Sequence, residues 1–202
     1  MRLLVATKNR GKLEELRRIF DGLDVELVGA DELALGDVEE TGETFEANAL
    51  LKARAYAQAS GLMALADDSG LEVDALGGAP GVRSARYAGE GGSEANVRKL
   101  LAALESVEDA RRTARFRCVL AVVDPTGPLG QDALLAEGAC EGRIARAPRG
   151  SGGFGYDPVF VPEGMSATMA EISEAEKDRI SHRGRASGVM RARLLAYLAT
   201  RT

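Results

Sequence analysis

From Arg115 to Val123 the chain alternates polar and apolar residues, then turns apolar at every position through Val119-Leu120-Ala121-Val122-Val123. Alternation suits a strand with one wet face and unbroken apolarity suits one covered on both faces. The segment therefore reads as a strand that enters the interior from an edge. Around it, helical and strand patterns interleave. Leu3 to Ala6 reads as a buried strand, followed by a tight loop and an amphipathic helix with Leu13, Leu16, Ile19 and Phe20 on one face. Val25 to Val28 suggests a second strand. Thr44 is placed to cap a helix whose apolar positions run Phe45, Ala49, Ala53, Tyr56 and Ala57 until Gly61 stops it. Leu62 to Ala66 then reads as a strand ending at Asp67 and Asp68.

Glycines and Pro80 between Gly77 and Gly92 predict an ordered surface loop, and Ser93 a cap for a helix bearing Val97, Leu100, Leu101 and Leu104. A strand pair is expected at Ala133 to Ala139 and Gly142 to Ala145. A last helix carries Ala186, Val189, Met190, Leu194, Tyr197 and Leu198. This interleaving favours an α/β or mixed α+β fold. A length of 202 residues suits a single domain over 1–202, with room for two lobes around a cleft.

Composition excludes several functions. A hydrophobic fraction of 45% and a charged fraction of 28% are those of a globular protein without a membrane-length run. The apolar stretch at the N-terminus is too short for a secretion signal, which makes the cytoplasm the expected compartment. A net charge of −5 argues against binding a nucleic-acid polymer, so any phosphate must meet local donors. Cys118 and Cys140 share no metal-ligand spacing and read as reduced core residues.

Four segments are harder to explain by packing. Thr7-Lys8-Asn9-Arg10-Gly11-Lys12 lies where a strand ends and a helix begins. Free N–H groups and the helix dipole favour an anion there, and Lys12 adds a full charge. A capped helix with a solvated basic turn is the plainer alternative. It is not a Walker loop, because Leu13 follows Lys12 where Ser or Thr is required. Asp67-Asp68-Ser69-Gly70 is either a turn or a pair of carboxylates facing opposite sides of a strand, one structural and one free to hold Mg2+. Glu40, in Glu39-Glu40-Thr41-Gly42, is a candidate second ligand or part of a solvated loop.

Gly150-Ser151-Gly152-Gly153-Phe154-Gly155-Tyr156-Asp157-Pro158 contains the spacing of a dinucleotide loop, but Pro158 stands where a helix should open. The glycines and aromatics suit a flat base stacked on Phe154 or Tyr156, or a hairpin with a core aromatic. Ser173-Glu174-Ala175-Glu176 is a capping box that opens a short helix bearing Lys177. Beyond it, Ser181-His182-Arg183-Gly184 gathers donors, or simply caps that helix's C-terminus with cations.

In this order and spacing, Thr7-x-Asn9-x-x-Lys12, Ala66 to Leu71, Leu76 to Tyr87, Gly152 to Pro158 and Ser181-His182-Arg183 resemble the inosine/xanthosine triphosphate pyrophosphatase family. The resemblance covers essentially the whole chain. It implies an elongated central mixed sheet with two lobes flanked by helices, a nucleotide cleft between them, a homodimer and Mg2+ dependence. On this sequence it implies that Thr7, Lys8, Asn9, Arg10, Gly11 and Lys12 hold the triphosphate. Asp68 would be the catalytic carboxylate and a metal ligand, Glu40 the second acidic group near the metal, and Ser69 a phosphate contact. Phe154, Gly155, Tyr156, Asp157, Lys177, His182 and Arg183 would surround the base and sugar. Lys8 stands where many members carry a small residue, so its side chain either turns away or adds a phosphate contact.

The expected reaction is hydrolysis of ITP, dITP or XTP to the monophosphate and pyrophosphate. Donors facing position 6 of the purine would favour a carbonyl oxygen over an amino group. The competing readings are a Maf-type pyrophosphatase of other base specificity, which the Ser-His-Arg cluster opposes, and a nucleotide-binding regulatory module that does not cleave.

Overall fold

The chain, seen in a computed structural model, is described over residues 1–130 and 132–201. Leu3, Leu4 and Val5 are fully buried in strand β1 (Arg2–Val5). Helix α1 (Arg10–Ile19) and strand β2 (Glu26–Gly29) follow. The N-terminus of α1 is closed by Asn9, whose side chain accepts from the Lys12 N–H. Helix α2 (Phe45–Ser60) begins at Thr44, whose side chain accepts from the Ala47 N–H. It ends at Gly61, in the left-handed region with φ 70°, where glycine avoids the penalty a side chain would bring.

Strand β3 (Met63–Val73), helix α3 (Gly92–Ala103), strands β4 (Thr113–Val123), β5 (Leu134–Ile144) and β6 (Phe160–Pro162), and helices α4 (Glu174–Ile180) and α5 (His182–Thr200) complete the chain. The strands join in one sheet, in the order β2-β1-β3-β4-β5-β6. β1 pairs in parallel with β2 and β3, setting Leu4 opposite Val28 and Ala64, whereas β5 and β6 are antiparallel, with Ile144 opposite Phe160. Parallel and antiparallel pairs in one sheet with flanking helices make the fold mixed α+β, as the interleaved pattern predicts. Among the described residues no helix is long and apolar enough to cross a membrane.

The chain divides into two compact units, Met1–Asp68 with Cys118–Gly138 and Gly184–Thr202, and Ser69–Arg117 with Ala139–Arg183. The core of the first gathers Leu3, Val5, Leu16, Phe20, Leu65, Leu120, Val122, Met190 and Leu194. That of the second gathers Leu71, Val73, Leu100, Leu104, Phe116, Ile144, Phe160 and Met169.

Several boundaries differ from expectation. β3 continues through Asp67-Asp68-Ser69-Gly70 to Val73 instead of ending at the acidic pair, so the turn reading of that segment fails. The strand pair expected over 133–145 is one continuous strand, β5. Helix α3 starts at Gly92 without a side-chain cap, so Ser93 lies inside it. The loop expected over 77–92 includes short 3-10 turns at Gly81–Arg86 and Gly89–Gly91. His182 and Arg183 open α5 rather than only closing α4.

Candidate active site

In the first unit, β3 and α2 bring acids and lysines together. Consecutive strand residues point to opposite faces, and Asp67 and Asp68 meet different partners. Asp67 is 1% exposed. It accepts from Lys12 Nζ at 2.5 Å through Oδ1 and from Cys118 Sγ at 3.3 Å through Oδ2. Asp68 Oδ1 accepts from Lys52 Nζ at 3.1 Å. The same ammonium donates to Glu40 Oε1 at 2.7 Å and to the Asp67 carbonyl at 2.7 Å. Lys52 thus holds Glu40 and Asp68 to one point, although they lie far apart along the chain.

Burial pushes the Asp68 carboxyl above the usual carboxylate range, against the attraction of Lys52 and Lys12. Burial alone would lower Lys52, but Asp68 and Glu40 outweigh it and hold the ammonium above its ordinary value. Asp68 is thereby a stronger base than an exposed aspartate.

Sequence reasoning missed Lys52. A signal was present: Lys52 shares the buried face of α2 with Asn48, Ala49, Ala53 and Tyr56, where a lysine needs a buried partner.

Asp68 Oδ2 is buried and has no hydrogen-bond partner among the described residues. A carboxylate oxygen in that condition suits a hard cation. No group of three or more His, Cys, Asp and Glu side chains gathers among the described residues. Asp68, with Glu40 beside it on Lys52, would suit Mg2+, an ion that keeps water and substrate phosphates as its remaining ligands.

The segment from Thr7 to Lys12 opens α1. Thr7 Oγ1 accepts from the Asn9 N–H at 3.1 Å, and the first turn of α1 holds no acid to offset the dipole. Lys8 turns to Asp37, at 2.9 Å, and Asp37 raises its pKa.

In the second unit, Asp157 organises the glycine loop. It is 3% exposed, and its Oδ2 accepts from the Phe154 N–H at 2.8 Å and from Lys177 Nζ at 2.7 Å. Gly153 stands against this carboxylate with φ 69°, and a Cβ there would overlap Asp157 Oδ2. Only glycine lets the loop fold over the aspartate. Phe154 is partly exposed, with Lys177 Nζ 4.8 Å and Arg183 Cζ 5.6 Å from its ring centroid.

Arg183 Nη2 donates to Ser69 Oγ at 2.9 Å, joining the start of α5 to the residue after Asp68. The His182 ring stacks on Phe116 at 4.7 Å between centroids and 14° between planes. Tyr156 lies in the core, 4% exposed, and donates to the Ser84 carbonyl at 2.9 Å. Burial raises its hydroxyl pKa. Of the aromatics in this loop, Phe154 is the one with an accessible face.

A basic, capped helix start, a carboxylate pair bridged by a lysine, and a glycine loop presenting one aromatic are each groups suited to nucleotides. The chain belongs to the Ham1 family, whose model matches residues 3–193. It is 51% identical over 199 residues to a dITP/XTP pyrophosphatase of Methylococcus capsulatus, covering 96% of each chain. To a dITP/XTP pyrophosphatase of Mycobacterium tuberculosis it is 53% identical over 196 residues, covering 94% of this chain and 93% of that one. The solved structure of a HAM1 protein from Coxiella burnetii matches with a TM-score of 0.86 and 42% identity, over 97% of this chain and 99% of that one.

Proposed function

We propose that this chain hydrolyses non-standard purine nucleoside triphosphates, ITP, dITP and XTP, to the monophosphate and pyrophosphate, and so clears the cytoplasmic nucleotide pool. The relatives' activity as dITP/XTP pyrophosphatases supports this reading. One observation carries it: Asp68 sets one oxygen on Lys52 and leaves the other buried with no hydrogen-bond partner among the described residues.

In this reading Asp68 orients a water toward the α-phosphorus and takes its proton as the new P–O bond forms and pyrophosphate leaves. Asp68 and Glu40 would hold Mg2+, which would supply charge neutralisation on the phosphate oxygens. Thr7, Asn9, Arg10, Gly11 and Lys12 receive the triphosphate at the helix end, and Ser69 contacts phosphate. Lys12 keeps donors beyond the one given to Asp67, because an ammonium carries three.

Phe154 stacks on the purine, with Gly155 allowing close approach. His182 and Arg183 offer donors to the 6-oxo group, and Asp157 and Lys177 hold the loop in shape. Adenine would oppose its amino group to those donors, which disfavours ATP. The active form is a homodimer.

The test is pyrophosphate release from ITP, dITP, XTP, GTP and ATP, with and without Mg2+. Metal-dependent release that favours ITP, dITP and XTP is expected. Equal rates on all five, or release of orthophosphate, would defeat the reading.

A further inference from the structure

Residues 35–42, which carry Glu40, form neither helix nor strand. A carboxylate on such a segment points reproducibly only if the backbone is tied from outside. The ties come from one side of α2. Tyr56 Oη donates to the Gly36 carbonyl at 3.0 Å. Lys52 Nζ donates to Glu40 Oε1 at 2.7 Å. The Gly42 N–H donates to Asn48 Oδ1 at 2.7 Å. Asn48, Lys52 and Tyr56 are each four residues apart, so they stack along one stripe of the helix. The segment meets them in reverse order and therefore runs antiparallel to α2.

The Asn48 contact is a built one. Asn48 is 0% exposed, and its Nδ2 has no hydrogen-bond partner among the described residues. Burying an amide donor unmet is unfavourable, and the bond that Oδ1 makes to Gly42 gives the residue its use there. Gly42 leaves no space at this end: a Cβ would lie 2.6 Å from Asn48 Oδ1 and 2.9 Å from Ala47 Cβ. The segment is pressed against the helix where Asn48 holds it.

We propose that Asn48 and Tyr56 are positioning residues for Glu40. They fix the register of residues 36–42 along α2, so that the Glu40 carboxylate stays on the ammonium that also holds Asp68, and they thereby set the affinity for the divalent ion. This rests on the reading that Glu40 and Asp68 hold that ion. Both would act through the backbone that carries Glu40, at Gly42 and Gly36.

The experiment measures Mn2+ binding by electron paramagnetic resonance of the free ion, together with turnover against Mn2+ concentration. The proteins are the wild type, Asn48→Ala, Tyr56→Phe and Glu40→Gln. Tyr56→Phe removes only a hydroxyl and keeps the variant set informative if Asn48→Ala folds poorly. Weakening of Mn2+ binding by about 10-fold, as for groups that orient metal ligands, is expected for Asn48→Ala and Tyr56→Phe, with the preference for ITP over GTP unchanged. A purely structural role would lower thermal stability and leave Mn2+ affinity alone. If Glu40→Gln weakens Mn2+ binding while Asn48→Ala and Tyr56→Phe bind as the wild type does, the positioning role is overturned. If Glu40→Gln itself binds Mn2+ normally, the metal assignment falls and this inference with it.

Discussion

Lys12 Nζ donates to Asp67 Oδ1 across 2.5 Å, and the Asp67 side chain is completely buried while that of Lys12 keeps 15% of its exposure. The carboxylate anchors the Lys12 ammonium at the start of α1. Asp67→Asn keeps the shape and removes the charge. Loss of a charged hydrogen bond in this setting is worth about 1.5–3 kcal/mol, so the urea midpoint should fall with an unchanged m-value. KM for the triphosphate should also rise as Lys12 loses its station. A variant with wild-type midpoint and KM would show that the pair does neither.

Asp68→Asn removes the proposed general base while keeping a side chain that can still meet Lys52. Turnover should fall by roughly 10²–10⁴-fold, the range for such catalysis. Binding of a non-hydrolysable triphosphate analogue, followed by calorimetry, should remain measurable. Near-normal pyrophosphate release would rule out Asp68 as the base.

Phe154 and Tyr156 are two residues apart but stand in opposite environments. Phe154→Ala removes an accessible face, and stacking worth about 1–3 kcal/mol per base should appear as a raised KM for every purine triphosphate. Tyr156→Phe removes a buried hydroxyl bonded to the Ser84 carbonyl. It should lower stability by about 1 kcal/mol and leave KM where it was. The opposite pattern of effects would exchange their roles.

Asp74 titrates below the ordinary carboxylate value, chiefly because the Thr113 hydroxyl donates to it, with Arg115 adding to the effect against slight burial. A carboxyl with a depressed folded pKa contributes stability above its unfolded pKa and loses it as pH falls through the folded one. Asp74→Asn should therefore be less stable than the wild type at neutral pH, and the two should converge in strong acid. Chemical denaturation at a series of pH values between neutrality and about pH 2 checks this. A difference that stays constant across that range would remove the titration from the account.

Much of the fold is legible because its signals are local. Thr44, the spacing of Phe45, Ala49, Ala53 and Tyr56, and Gly61 place α2 within a residue of its ends, since capping depends on groups one turn away. Turn-forming residues are legible only where nothing distant outbids them. Asp67-Asp68-Ser69-Gly70 has the composition of a turn, but Lys12, Cys118 and Lys52 compensate the acids and β3 runs on. Gly142 looks like a break in β5, yet it pairs with Pro162 of β6 and the strand passes through it.

The same limit applies to the candidate site. Asp68, Glu40 and Lys12 stand out as charges in informative places. Lys52 does not, because a lysine on a helix ordinarily faces water and its partners lie at sequence separations of 12 and 16. Asp157 and Tyr156 lie in the glycine loop, but their burial, which makes them supports for Phe154, depends on Lys177 and Ser84, far off in the chain.

Because β3 carries its acids on consecutive residues, the division of labour between them is a matter of parity. Moving the strand by one position against its neighbours would exchange the faces of Asp67 and Asp68 and part each from its lysine. Within β3, a single inserted or deleted residue ahead of Asp67 would exchange the faces of the two acids, whereas a change of two would keep them.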